Sequence, residues 1–281
     1  MIKFILLLIF PSLLKAQIYS GKDVEIFNSK FQLAAEKNLA EKPISDVIVA
    51  VGKSFIGTDY AAHTLEKGDG ENLVINLTGM DCTTFLENTL AFARCIKEKR
   101  TTFQDYENEL TKIRYRDGKI DQYPSRLHYF SDWISDNEQK GIIKNISEEI
   151  GGDSLRFDLD FMSAHPDLYI QLQEHPDFIP IIEKQEREIN TRMYYYIPKE
   201  EVLEVENKIH NGDLIAITSN VKGLDIIHVG IAVRMDNQRI HFMHEPNAGY
   251  KVQITKIPLA DYLMKLKRDT GIMVLRVLEP K

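Results

Sequence analysis

The chain reads as an α+β protein, with helices first and an antiparallel sheet last. Two observations predict this. From Ser20 to Lys99 the apolar residues recur mostly at three- and four-residue spacing, the period of an amphipathic helix. From Gly212 onward, short β-branched runs are separated by turn residues. Elements segregated in that order give a layer of helices on a sheet rather than alternating βαβ units.

Taken in order, Val24, Phe27, Phe31, Leu33, Ala34 and Leu39 form one helical stripe after Ser20, a suitable N-cap. A second helix is expected over 43–51, stopped by Gly52, and a strand over 73–77. The next helix begins at Cys82 and runs to about Lys99 on Phe85, Leu86, Leu90, Ala93 and Ile96, with Thr84 and Glu87 spaced as a capping box. Residues 101–200 are mixed and polar, with helices expected near 103–113, 125–138 and 167–191. Strands follow over 212–218, 228–233, 239–244, 251–254 and 271–278.

The N-terminus has the basic start, apolar stretch (4–14) and small-residue exit of a secretory signal peptide. Residues 1–16 are therefore expected to be a cleaved leader and 17–281 a single domain, with about 101–200 as an insertion. The expected destination is the periplasm, with secretion into the medium as the other outcome. Loss of Lys3 and Lys15 takes the formal charge from −7 to −9. Scattered acidic charge gives no footprint for nucleic acid. No later segment has the length of a spanning helix, so stable membrane insertion is not expected.

Two cysteines in an exported chain suggest a disulfide. However, Cys82 and Cys95 lie thirteen residues apart on one predicted helix, about 20 Å at a rise of ~1.5 Å per residue. A disulfide spans no more than ~7 Å between Cα atoms, so Cys82 is expected to be free and Cys95 to be core. A thiol in the first turn of a helix is biased toward thiolate, the nucleophilic form. A cysteine nucleophile needs a base and a group that orients the base. His228 opens a strand, and residues 236–238 can turn it back onto the next. A three-residue loop pairs Met235 with Arg239 and Gly230 with His244, placing His244 beside His228 on one face, with Gly230 leaving space between them. A two- or four-residue loop places His241 there instead.

Several other groups invite a functional reading. His165-Pro166-Asp167 and His175-Pro176-Asp177 are better explained as helix starts than as metal ligands. There is no His-Glu-x-x-His, and His241 and His244 alternate in face, so no metal site is expected, nor any other cofactor. Tyr194-Tyr195-Tyr196 reads as core or edge packing, with a sugar-stacking platform as the other reading. Arg126 and Tyr60 can grip a substrate carboxylate or sugar, or make surface contacts. Asp225 can bind a substrate amine or cap the turn before the His228 strand.

Asp81-Cys82-Thr83 ahead of a helix, His228-Val229-Gly230-Ile231 on a strand and Met243-His244 on the next resemble the NlpC-type cell-wall cysteine amidases of bacterial peptidoglycan. Ile56-Gly57-Thr58-Asp59-Tyr60 is similar to that family's Leu-Gly-Thr-Pro-Tyr segment, with Asp59 in place of proline. Ser125 through Phe130, Asp132-Trp133-Ile134, Gly223-Leu224-Asp225 and Thr270 through Val274 resemble its N-acetylmuramoyl-L-alanine amidase-like branch, and the resemblance covers roughly 45–278. It implies a papain-like fold in which Cys82 is the nucleophile, His228 the base and His244 its orienting partner. Asp81 and Thr83 then line the cleft, although Asp81 also suits an N-cap. Where the branch has His-Ala-Ser, this chain has His244-Glu245-Pro246, which bears on the neighbouring binding contacts.

The expected substrate is peptidoglycan or its turnover fragments, the muropeptides, cut at the N-acetylmuramoyl–L-alanine amide. Cleavage of the γ-D-glutamyl–diamino acid bond is the alternative within the superfamily, and a non-catalytic peptidoglycan-binding protein is the alternative outside it. The oligomeric state is not legible.

Overall fold

The computed structural model describes residues 17–66, 70–247 and 250–281, so the expected leader over 1–16 lies outside the described residues. The first helix, α1, spans Gly21–Glu36 behind a capping box in which the Ser20 hydroxyl accepts from the Asp23 N–H and the Asp23 carboxylate accepts from the Ser20 N–H. The other Asp23 oxygen accepts the Leu77 N–H at 2.7 Å. That contact belongs to the segment expected as a strand over 73–77, which pairs only through Leu73–Val74, in parallel with Gln17–Ile18. The rest turns because Asn76 Oδ1 accepts the N–H groups of Thr78 and Gly79, a local alternative to the ladder.

Helix α2 spans Ile44–Lys53 and continues through Gly52 instead of stopping there. Glycine at this position serves close packing: a Cβ would stand 2.4 Å from the Met243 Cε on the sheet. Helix α3, Cys82–Lys97, is the centre of the molecule, and every residue from Thr84 to Ile96 is buried. Its polar members are matched by α4, Phe103–Arg114. Glu87 binds Arg114 at 2.7 Å, Asn88 accepts the Tyr106 hydroxyl, and Arg94 binds Glu109 at 2.5 Å. Buried charges of this kind persist only when paired.

The main sheet has eight strands. Its order is Gln253–Ile254, Ile240–His244, Ile226–Arg234, Leu214–Ser219, Asp269–Val277, Tyr194–Pro198 and Asp153–Leu155, with Ile143–Asn145 also on Asp269–Val277, and these pairings are all antiparallel. The expected succession of helices and then an antiparallel sheet is therefore present. Residues 101–200 are not an appendage, because they contribute three of the sheet's strands, and Tyr194-Tyr195-Tyr196 is one of them. The expected helix over 167–191 is broken: Pro166 and Pro176 each open a one-turn 3-10 segment after a histidine, and regular helix is confined to Ile170–Glu174 and Ile179–Asn190. Helix α5 covers Phe130–Gln139, starting later than expected because Tyr123–Ser125 forms its own turn.

Each sheet face has its own core. Val229, Ile231, Val233 and Met243 face α2 and α3. Ile215, Ile217, Ile240 and Phe242 face the helix Leu259–Leu263. Alternation along the strands thus buries both faces.

Candidate active site

Cys82 is the first residue of α3, and Asp81 is its N-cap. The Asp81 carboxylate accepts the Thr84 N–H and hydroxyl at 2.8 Å each, and the Thr84 hydroxyl accepts the Asp81 N–H at 2.9 Å. The capping box therefore opens one turn before the Thr84–Glu87 pair read from the sequence, which leaves Glu87 for Arg114. Cys82 and Cys95 are both free thiols, the second fully buried against the Asp105 carbonyl.

Cys82 is half-buried as a residue, with the Thr83 hydroxyl 4.0 Å from its thiol and the Val229 N–H donating to it. Burial, and after it the Asp81 carboxylate, pushes the thiol up to about 12, against the smaller opposing pull of Val229 and Thr83. The helix-start bias toward thiolate does not prevail, and the resting group is a neutral thiol.

The histidine hairpin has the three-residue loop. Met235 N–H donates to the Arg239 carbonyl at 3.0 Å, and Gln238 takes the left-handed conformation that closes such a loop. Ile240 then pairs with Arg234, and the ladder runs on to Met243 with Ile231. One step further His228 Nε2 meets His244 Nδ1 at 2.6 Å. Gly230 lies between them, but its lack of a side chain does not leave open space. A Cβ there would be 2.6 Å from both the Met243 carbonyl oxygen and the Phe242 ring. His241, on the other parity, is held by the Thr255 carbonyl at 2.8 Å and by Asn237 at 3.2 Å. Burial lowers His228 to about 4, and burial with the His228 charge lowers His244 to about 3, so both imidazoles are neutral at rest. Cys82 Sγ is bonded to the residue after His228 and makes no hydrogen bond to the His228 ring itself among the described contacts.

The remaining candidates divide. Tyr60 sits at the site, where the charges of Asp81, Cys82 and Glu245 add to burial in raising its phenol. It is carried on Asp59–Tyr60, which pairs with Gly79–Met80 just before Asp81. Asp59, the departure from proline, binds Lys251 at 2.6 Å and ties this strand to the segment that follows Glu245. Arg126 is buried and already matched by Glu66 at 3.1 Å and Glu71 at 3.3 Å. Asp225 is buried with one oxygen on the Ser131 N–H at the start of α5 and the other on the Ile226 N–H, each at 2.7 Å, so it ties a distant helix start to its own turn.

Sequence reasoning assigned no role to Glu245. It has no exposed surface, and neither carboxylate oxygen has a hydrogen-bond partner. Burial and then the Asp59 charge raise it to about 7, with the Asp81 charge adding to them. The only signal was its departure from the branch pattern. The Val229 N–H contact carried no sequence signal at all, because a backbone donor looks the same in every residue. Among the described residues no three His, Cys, Asp or Glu side chains converge as a metal site, and no helix is long and apolar enough to cross a membrane.

The chain is similar to proteins of known structure. A Bacteroides uniformis N-acetylmuramoyl-L-alanine amidase is 37% identical, with a TM-score of 0.78 over 83% of this chain and 98% of that one. A Bacteroides fragilis protein provisionally described as a xylanase is 39% identical, with a TM-score of 0.75 over 81% and 100%. A Legionella pneumophila protein at 22% identity and a TM-score of 0.67, over 91% and 95%, shares the fold. No curated protein matches the chain. The family described as AmiA-like, N-acetylmuramoyl-L-alanine amidase-like, matches residues 50–272, so the chain belongs to that amidase-like family.

Proposed function

We propose that this protein is an exported, periplasmic cysteine amidase that hydrolyses the N-acetylmuramoyl–L-alanine bond of peptidoglycan fragments on a papain-like scaffold. The observation that carries the reading is the thiol at the start of α3, held by the N–H of the residue that follows His228, with His228 joined to His244 at 2.6 Å. The Bacteroides uniformis amidase supports the choice of bond. A xylanase, as the fragilis relative is described, calls for two carboxyl groups flanking a sugar linkage. A thiol beside paired imidazoles favours acyl transfer instead.

His228 uses Nε2 on His244, which leaves Nδ1 to take the thiol proton. Nδ1 must then be unprotonated at rest, so Nε2 carries the hydrogen and donates it to His244 Nδ1, a tautomer assigned here by role. Because thiol and imidazole are both neutral, the proton moves to Nδ1 as Sγ adds to the amide carbonyl. The Cys82 N–H, one of the donors a helix start leaves unpaired, stabilises the oxyanion. The tetrahedral adduct collapses with cleavage of the C–N bond, and the proton on His228 passes to the leaving amine. Water, activated by the same imidazole, hydrolyses the thioester. Tyr60, Asp81 and Thr83 border the thiol. The length of the segment 101–200 supports a selective cleft that favours soluble muropeptides over intact wall; its side chains Tyr123 and Phe178 also line a separate open cavity of about 530 Å³.

The test is incubation of defined muropeptides with the protein and mass spectrometry of the products. Free peptide beginning with L-alanine is expected. Release of L-alanyl-γ-D-glutamate instead would identify the γ-D-glutamyl–diamino acid endopeptidase. Binding without any product, unchanged in Cys82→Ala, would identify a non-catalytic peptidoglycan-binding protein.

A further inference from the structure

A cavity of about 510 Å³ opens directly on His244, on the part of the fold where the chain leaves the His244 strand and returns through Gln253–Ile254 toward the helix Leu259–Leu263. Its lining includes Asn247, Gln253, Lys256 and Tyr262. These four side chains have no hydrogen bond to another protein group among the described residues, and Lys256 has no ion-pair partner there. No Asp or Glu lines the cavity. It therefore gathers several uncommitted donors and one uncommitted cation beside the second imidazole of the site. On the Cys82 side the surroundings are opposite in character, with Asp81 and Tyr60 near the thiol.

The chemistry of amide cleavage gives the two sides different occupants. The group that protonates the leaving amine must lie on the leaving group's side of the scissile bond. His228 has that task, and His244, hydrogen-bonded to it at 2.6 Å, floors the cavity, which places the cavity beside the base rather than beside the thiol. For a muramoyl–L-alanine amide the departing half is a peptide with free carboxylates, whereas the acyl half is an amino sugar. An ammonium with amide donors is suited to carboxylates, and a lining without acidic groups does not repel them.

We propose that this cavity is the subsite for the leaving peptide, with Lys256 assisted by Asn247 and Gln253 taking a carboxylate of the residue after L-alanine. The inference rests on the amidase reading and names which half of that substrate goes where. Lys256 is a specificity-determining residue in this account, with no part in bond making.

Two readouts test it. The first is the ratio of kcat/KM for two muramoyl dipeptides that differ only in a free α-carboxylate or an α-carboxamide on the second residue. Wild-type protein is expected to prefer the acid, and Lys256→Gln to lower that ratio about tenfold, with Lys256→Glu lowering it further. The second is calorimetric binding of the free dipeptide L-alanyl-γ-D-glutamate to the Cys82→Ala protein, which Lys256→Gln should weaken about tenfold and added salt should also weaken. An unchanged ratio with unchanged dipeptide affinity overturns the proposal, as does an equal loss on both substrates, which marks Lys256 as merely structural. If wild-type protein releases no peptide from either substrate, the amidase reading fails, while dipeptide binding still decides the cavity on its own.

Discussion

Cys82 rests as a thiol, and this changes what its reactivity should look like. A helix start lowers a thiol by offering unpaired N–H dipoles, but here the site excludes enough water and places Asp81 close enough that the balance runs the other way, to about 12. With His228 lowered to about 4, no ion pair is stored between them. Iodoacetamide should therefore label the free protein slowly at neutral pH and faster as pH rises toward 12, even though the proposed hydrolysis is expected at neutral pH. Rapid labelling at pH 6 would show a preformed thiolate–imidazolium pair and sink this account. Cys82→Ala should lower kcat by about 10³-fold or more, the scale seen when a nucleophile is removed from a coupled set. Cys82, His228 and His244 were legible as candidates because the proposed roles of nucleophile, base and orienting group are side-chain chemistry. Glu245 was visible only as a departure from a pattern, since the burial that makes it unusual belongs to the folded chain.

At the scale of elements, the hairpin decides which histidine works. Register in an antiparallel pair inverts with a one-residue change in the loop, so the choice between His244 and His241 depended on loop length, and the three-residue loop brings His244 to His228. Gly230 is the sensitive point of that register. Substituting alanine would press a methyl into the Met243 carbonyl and the Phe242 ring, both 2.6 Å away. Overpacking of this kind costs about 1–3 kcal/mol. Gly230→Ala should lower the midpoint of thermal unfolding and also cut kcat, because the Phe242 ring packs on the imidazoles of both His228 and His244, the proposed base and its partner, at 5.6 and 4.7 Å between centroids. Full activity in a destabilised Gly230→Ala protein would show that the imidazole pair tolerates movement of the strand. The shortfall of the 73–77 strand and the broken 167–191 helix have a common origin. Asn76 and the two His-Pro pairs act through local backbone bonding and steric blocks, which outweigh the apolar pattern around them.

For the whole molecule, three histidines held largely away from water, His244 buried and His128 and His228 half-buried, make acid stability a property of the fold. Burial lowers His128 to about 3, His228 to about 4 and His244 to about 3, from an ordinary value of 6.5. The unfolded chain thus binds protons first as pH falls. Stability is fully present above pH 6.5 and is lost between 6.5 and the folded values, at up to about 1.4 kcal/mol per pH unit for each histidine. Glu245 acts in the opposite sense: raised to about 7 from 4.5, it favours the folded state below pH 4.5 and withdraws that support as pH rises through 7. Urea midpoints measured from pH 7 to 4 should fall, and His128→Asn should flatten the slope without touching the catalytic pair. A flat profile through that window would show that the histidines ionise within the native state.

Sequence alone determined the order of the layers, the freedom of Cys82 from a disulfide, and which side chains are the candidates for nucleophile, base and orienting group. Each follows from periodicity, spacing or side-chain chemistry, which are local. Tertiary structure alone decided that 101–200 supplies strands to the central sheet, that Arg126 and Asp225 are held by partners distant in sequence, that Cys82 is neutral, and that a cavity lined by a lysine with no ion-pair partner among the described residues adjoins His244. All of these depend on which distant groups meet out of water, and burial and charge proximity do not exist until the chain has folded.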